Sequence, residues 1–196
     1  MSFRSTFQLV LFCLFFLATL TPAHTKENIL GSDDSDTLFG TSGIDEVFGG
    51  YGNDVLTGND GDDLLGGGDG DDILRGGNGN DVLRGSDGDD VLYGGSGIDR
   101  LYGGLGADRF VFEIDSMETD EVLDFNPDQN DTVWLQSNHS ENKLTADNVR
   151  IDNEGNLEVQ VAHEDWSRIV NLHQNNLEFD IEEITDGLQL HFTRRF

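Results

Sequence analysis

A glycine and an aspartate recur at a fixed distance through nine consecutive nonapeptides spanning residues 31–111. Glycine stands first at Gly31, Gly40, Gly49, Gly58, Gly67, Gly76, Gly85, Gly94 and Gly103, and aspartate sixth at Asp36, Asp45, Asp54, Asp63, Asp72, Asp81, Asp90, Asp99 and Asp108. Glycines permit the positive φ angles and close backbone approach of a tight turn whose carbonyls point inward. Carboxylates and main-chain carbonyls together are hard oxygen donors, and the chemistry open to such a set is the binding of cations. A phosphate cradle needs backbone amides and a lysine, whereas these turns carry aspartate. The net charge of −28 points the same way, since a nucleic acid or an anionic membrane would be repelled.

The elements that hold these residues follow from the rest of each repeat. A six-residue turn, for example residues 67–72, precedes a three-residue extended piece, Ile73, Leu74 and Arg75. The alternation of an extended chain sends position eight to one face and positions seven and nine to the other. The inward set is then Leu38, Val47, Leu56, Leu65, Leu74, Leu83, Leu92, Leu101 and Phe110, while Thr57, Arg75, Arg84, Tyr93 and Arg100 are among the outward residues. An acidic, glycine-rich linker would have no reason to keep a hydrophobe at every ninth residue. One core residue per strand is nevertheless a thin core, and residues 31–111 hold 18 acids against 4 bases. Folding of such a segment calls for bound cations.

These nonapeptides resemble the RTX (hemolysin-type calcium-binding) repeat family. The resemblance implies an all-β fold, a right-handed parallel β-roll or β-solenoid of nine nonapeptide repeats, with two repeats to each coil. It also implies that each ion lies between one turn and the turn one coil further on, so that nine repeats offer about seven Ca²⁺ sites of six to eight oxygens. The implied ligands are the nine sixth-position aspartates with turn carbonyls of Gly50, Gly52, Gly68, Gly70, Gly77, Gly79, Gly95 and Gly97. Magnesium fits less well, because it demands a tight octahedron and holds its waters. The pattern is broken by Asp34 at a fourth position and by Ser32, Thr41, Asn59 and Ser86 in place of second glycines. Atypical terminal repeats are expected where a solenoid needs caps. Residues 103–112 resemble the aromatic-rich exit of such rolls.

Residues 1–23 read as a secretory signal peptide of Sec type, with Arg4 as a positive start, an apolar stretch over residues 7–20 and a small residue at Ala23. That stretch is shorter than the roughly 20 residues a membrane-spanning helix needs, so no transmembrane span is expected in the mature chain. The one cysteine, Cys13, lies inside it, which leaves the mature chain without a disulfide. Residues 24–30 read as a linker. From residue 112 glycine nearly vanishes, with Gly155 and Gly187 left, and residues 112–196 read as a β-rich cap on the open end of the roll. Residues 122–125 and 132–135 flank a polar turn, residues 149–161 suggest a hairpin, and residues 184–192 suggest another around Asp186-Gly187.

Catalytic motifs fail in this region. His163-Glu164 opens like a zinc-protease helix but meets Ser167 where the second histidine belongs, and no GxSxG elbow exists. Asp124, Asn126, Asp128 and Asn130 mimic an EF-hand loop, but Gln129 replaces its glycine and Leu135 its closing glutamate. The expectation is a secreted, extracellular, bacterial-type calcium-binding protein with no enzymatic activity, ordered by calcium. Family members usually carry the roll behind a toxin, protease, lipase or polysaccharide-modifying enzyme, which this chain's arrangement does not follow. The alternatives are a surface module that binds an acidic polysaccharide or a cell surface, and a toxin-like fragment.

Overall fold

A computed structural model describes residues 26–114, 118–136, 149–151, 156–159, 167–172, 177–184 and 187–194. The segment read as a signal peptide lies outside these residues, as do His163-Glu164 and residues 152–155 and 185–186. Among the described residues no helix is long and apolar enough to cross a membrane.

Every nonapeptide yields one strand. After β1 (Asn28–Leu30), which precedes the first repeat, these are in order β2 (Thr37–Phe39), β3 (Glu46–Tyr51), β4 (Val55–Asp60), β5 (Leu64–Asp69), β6 (Ile73–Asn78), β7 (Val82–Asp87), β8 (Val91–Ser96), β9 (Arg100–Leu105) and β10 (Arg109–Glu113). Successive strands fall in opposite sheets. Each pairs in parallel with the strand two further along, so Val47 meets Leu65 in one sheet and Leu56 meets Leu74 in the other. Two repeats therefore make one coil, and like positions stack directly above one another.

The strands from β3 to β9 are six residues long, twice the expected extended piece. The extra length comes from the start of the next repeat: Gly50 pairs with Gly68 and Tyr51 with Asp69. Glycine at these positions brings one coil's backbone close enough to the next for the ladder to run on past position nine. The turn is thereby shortened to its last three residues.

Burial alternates along each strand as the period-two reading requires. Val47, Leu56, Leu65, Leu74, Leu83, Leu92, Leu101 and Phe110 are fully buried. Leu38 and the preceding Ile29 are half-buried at the open first coil. Residues 28–30, read above as part of a linker, pair with β3 and place Ile29 over Val47.

Beyond β10 the roll's two sheets continue. β11 (Asp120–Val122) adds in parallel to β9, and β12 (Thr132–Gln136) adds in parallel to β10. The segments at residues 122–125 and 132–135 thus enter different sheets, separated by a short 3-10 turn over Pro127–Gln129. Val122 and Val133 carry on the buried stack, with Phe125 against Phe110 at 6.0 Å between ring centroids. β13 (Val149–Ile151) and β14 (Asn156–Val159) run antiparallel, and β15 (Ser167–Asn171) joins them to β11. β16 (Leu177–Ile184) and β17 (Gly187–Arg194) form an antiparallel pair whose second strand lies along β12. The parallel edge of each sheet is in this way paired, which removes the open row of backbone groups it would otherwise present.

Candidate metal site

Stacking at an interval of two repeats brings the sixth-position aspartates into two columns, one along each edge of the roll. All are buried from Asp45 to Asp108. The backbone N–H of each aspartate from Asp36 to Asp90 donates to Oδ1 of the aspartate one coil further on, at 2.7–3.0 Å. The aspartate carbonyls are used as well: Asp54 O accepts from Ile73 N–H at 2.8 Å.

The second carboxylate oxygen divides the repeats into two groups. Oδ2 of Asp54, Asp63, Asp72, Asp81, Asp90, Asp99 and Asp108 is buried without a hydrogen-bond donor. Each of these oxygens lies against the first glycine of its own repeat. A Cβ placed on Gly49 would overlap Asp54 Oδ2 and would come within 2.8 Å of the Gly67 carbonyl oxygen in the coil above. The same pair of oxygens borders Gly58, Gly67, Gly76 and Gly85. Two acceptors thus converge on one place with no proton between them. A buried carboxylate in that condition is costly unless a cation meets it.

The donor chemistry fits calcium. Among the described residues no three Asp, Glu, His or Cys side chains gather as a metal cluster. Main-chain carbonyls must therefore complete each oxygen shell, and a carboxylate joined by carbonyls is a ligand set calcium accepts. Gly50, Gly52, Gly68, Gly70, Gly77, Gly79, Gly95 and Gly97, the glycines singled out for their carbonyls, all have positive φ. They stack on one another: a Cβ on Gly68 would strike the Gly50 carbonyl, and one on Gly70 the Gly52 carbonyl.

Burial raises six of the ladder carboxylates well above the ordinary aspartate range. It pushes Asp81, Asp90 and Asp108 up to about 7 and Asp63, Asp72 and Asp99 to about 6. The N–H bond from the coil below pulls each one back in part. Nearby carboxylates, such as Asp99 and Asp63 around Asp81, add to the rise. Asp45 behaves oppositely: burial raises it, but hydrogen bonds from the Thr41 N–H, the Glu27 N–H and the Thr41 hydroxyl outweigh that and hold it low.

Several residues of the ladder are invisible to the nonapeptide pattern. Asp120 Oδ1 accepts from Asp99 N–H at 2.9 Å and Asp131 Oδ1 from Asp108 N–H at 3.1 Å, while Asp124 Oδ1 accepts from Gly103 N–H at 2.9 Å. The signal was present in Asp120-Glu121-Val122 and Asp131-Thr132-Val133, which keep the aspartate and the inward hydrophobe of a repeat without its glycines. A second, exposed ladder runs through position five, where Asp71 N–H donates to Asn53 Oδ1 at 3.2 Å and Asp89 N–H to Asp71 Oδ1 at 3.0 Å. The other EF-hand-like residues have local work: Asn126 Oδ1 accepts from Asp128 N–H, and Asn130 takes φ 69° to end the 3-10 turn.

Gly76 offers a direct check on this geometry. Its backbone could carry a side chain, but a Cβ there would collide with Asp81 Oδ2 and press on the Gly94 carbonyl. Gly76→Ala is expected to remove one calcium from the total bound and to destabilise the calcium-loaded fold by about 1–3 kcal/mol, the usual range for overpacking. Calorimetric titration and thermal melts in calcium measure both effects.

The match to a family model agrees with the geometry. The RTX calcium-binding nonapeptide repeat family (four copies) matches residues 30–65, 66–101 and 84–113. A comparison with curated proteins gives no match. Among solved structures, the solution structure of the AlgE6R3 subunit from the Azotobacter vinelandii mannuronan C5-epimerase is 24% identical, with 72% of each chain covered and a TM-score of 0.29. Parallel coils at an interval of two nonapeptides, a buried column of sixth-position aspartates and the family match together identify residues 30–113 of this chain as RTX calcium-binding nonapeptide repeats.

Proposed function

We propose that the chain is a secreted, non-enzymatic protein whose roll is completed by several calcium ions held on the sixth-position carboxylates and turn carbonyls, with residues 112–196 as its cap. The observation that carries this reading is the set of seven buried Oδ2 atoms without a donor, each beside the first glycine of its repeat. When bound, the ion supplies the positive charge that these oxygens lack. The chain's own residues orient the carboxylates through the N–H ladder and exclude water by stacking the turns. Ordering then follows the calcium level of the surroundings: absent where calcium is scarce, and present near the 10⁻⁴ to 10⁻³ M range of about which extracellular modules bind.

A second reading, a calcium-ordered surface for an acidic polysaccharide, draws on the outer faces of the sheets. The four arginines of the roll, Arg75, Arg84, Arg100 and Arg109, stand at outward positions of their strands, with Arg100 paired to Glu121 at 3.3 Å. Three of them stack on aromatic rings of the next coil: Arg75 over Tyr93 at 4.8 Å, Arg84 over Tyr102 at 5.3 Å and Arg109 over Trp134 at 4.8 Å. An aromatic plane beside a guanidinium suits a sugar ring that bears a carboxylate.

Calorimetry tests both readings in sequence. Calcium, and not magnesium, is expected to give a saturable multi-site isotherm; silence with calcium rejects the primary proposal. A polyuronate is then titrated into the calcium-loaded protein and its Arg75→Ala/Arg109→Ala variant. Binding by the first and its loss in the second supports the polysaccharide reading, and equal behaviour of the two removes it.

A further inference from the structure

The first two repeats differ from the other seven in a way that bears on where the ions go. Asp36 Oδ2 accepts from the Ser32 N–H at 2.7 Å and from the Ser32 hydroxyl at 2.8 Å. Asp45 Oδ2 likewise accepts from the Thr41 N–H and, at 2.8 Å, from the Thr41 hydroxyl. In these two turns the oxygen that is bare elsewhere already has two donors. The cause is the backbone at position two. Neither Ser32 nor Thr41 has a positive φ, so the peptide presents its N–H to the carboxylate. The seven repeats with a bare Oδ2 are the same seven in which position two has positive φ. They include Asn59 at 82° and Ser86 at 95°, so the division follows backbone conformation and not merely the presence of glycine.

Resting on the calcium reading above, we infer that Ser32 and Thr41 seal the first coil, that Asp36 and Asp45 are not calcium ligands, and that the ion ladder begins at Asp54. The hydroxyl and N–H of the sealing residue give the carboxylate what a cation gives it in later turns, and they take up the space in which the ion would lie. The first coil is thereby a cap that does not depend on calcium, set below seven sites that do. At the far end Asp99 and Asp108 face the glycine-free turns of Asp120 and Asp131, so the bare oxygens there complete the ladder.

Calcium stoichiometry of the full chain decides the matter, counted by calorimetry and checked by native mass spectrometry. The wild type is expected to hold seven ions, one for each unpartnered Oδ2. Asp36→Asn and Asp45→Asn are expected to leave that number unchanged, whereas Asp72→Asn lowers it by one. Ser32→Gly/Thr41→Gly removes the hydroxyls and frees position two for positive φ, and it is expected to add up to two ions. Loss of an ion in Asp36→Asn or Asp45→Asn, or a wild-type count of nine, overturns the assignment while leaving calcium binding intact. A wild type that holds no calcium overturns both. If the double glycine variant does not fold, the two asparagine variants decide alone.

Discussion

Chelation of calcium at neutral pH is expected to abolish the β-sheet signal of the roll in far-UV circular dichroism, and readdition of calcium, but not of magnesium, to restore it cooperatively. The reason is the balance of terms inside the coil. Each strand gives the core one side chain, so the apolar gain per residue is small beside the backbone entropy that ordering consumes. Against this the apo roll would bury seven carboxylate oxygens with no donor. Leaving one buried polar group unsatisfied costs about 1–3 kcal/mol and more when it is charged, so that seven of them rival or exceed the roughly 5–15 kcal/mol by which a whole domain is normally stable. No disulfide is available to offset this, because the one cysteine is Cys13. Metal binding is then a condition of folding for these coils. A chain that keeps its full β signal in chelator would show that the cost is met by packing alone.

Much of this fold is legible in the residues, and the parts that are not have identifiable physical causes. Leu56, Leu65, Leu74 and their equivalents announce themselves because two periods coincide: alternation within a strand and recurrence every nine residues. That two repeats make a coil is not contained in a nine-residue period, and it rests on the family resemblance until the pairing of Leu56 with Leu74 is seen. Asp120 and Asp131 escape a search for glycine-rich turns because their coils are spaced irregularly and turn without glycine, yet their carboxylates accept from the Asp99 and Asp108 N–H groups and continue the same ladder. Ser32, Thr41, Asn59 and Ser86 are all visible as departures from glycine. Only the backbone separates the first pair, which turns an N–H toward the carboxylate, from the second, which adopts positive φ and behaves as glycine does. Residue type at position two is thus a weaker guide to the metal than the sign of φ.

Acid is expected to move the protein and its metal in opposite directions. An aspartate in an unfolded chain titrates near 3.9, whereas burial holds Asp81, Asp90 and Asp108 at about 7 and Asp63, Asp72 and Asp99 at about 6 in the calcium-free roll. Between these limits the folded roll binds protons that the unfolded chain does not, so its stability rises as pH falls. That contribution is complete below about pH 4, and it is lost as pH rises through 6 and 7, where the buried carboxylates would have to ionise. In chelator, therefore, far-UV circular dichroism should show β structure returning as the pH is lowered from 8 toward 5. The same protons compete with calcium for the same oxygens. A site whose carboxylate titrates near 7 is mostly protonated at pH 5.5, so calcium binding to the acid-folded roll should release about one proton for each such carboxylate, read as a dependence of the calorimetric heat on the buffer's ionisation enthalpy. Binding without proton release at that pH would mean that the ladder carboxylates stay ionised in the roll, and that burial is not what governs their charge.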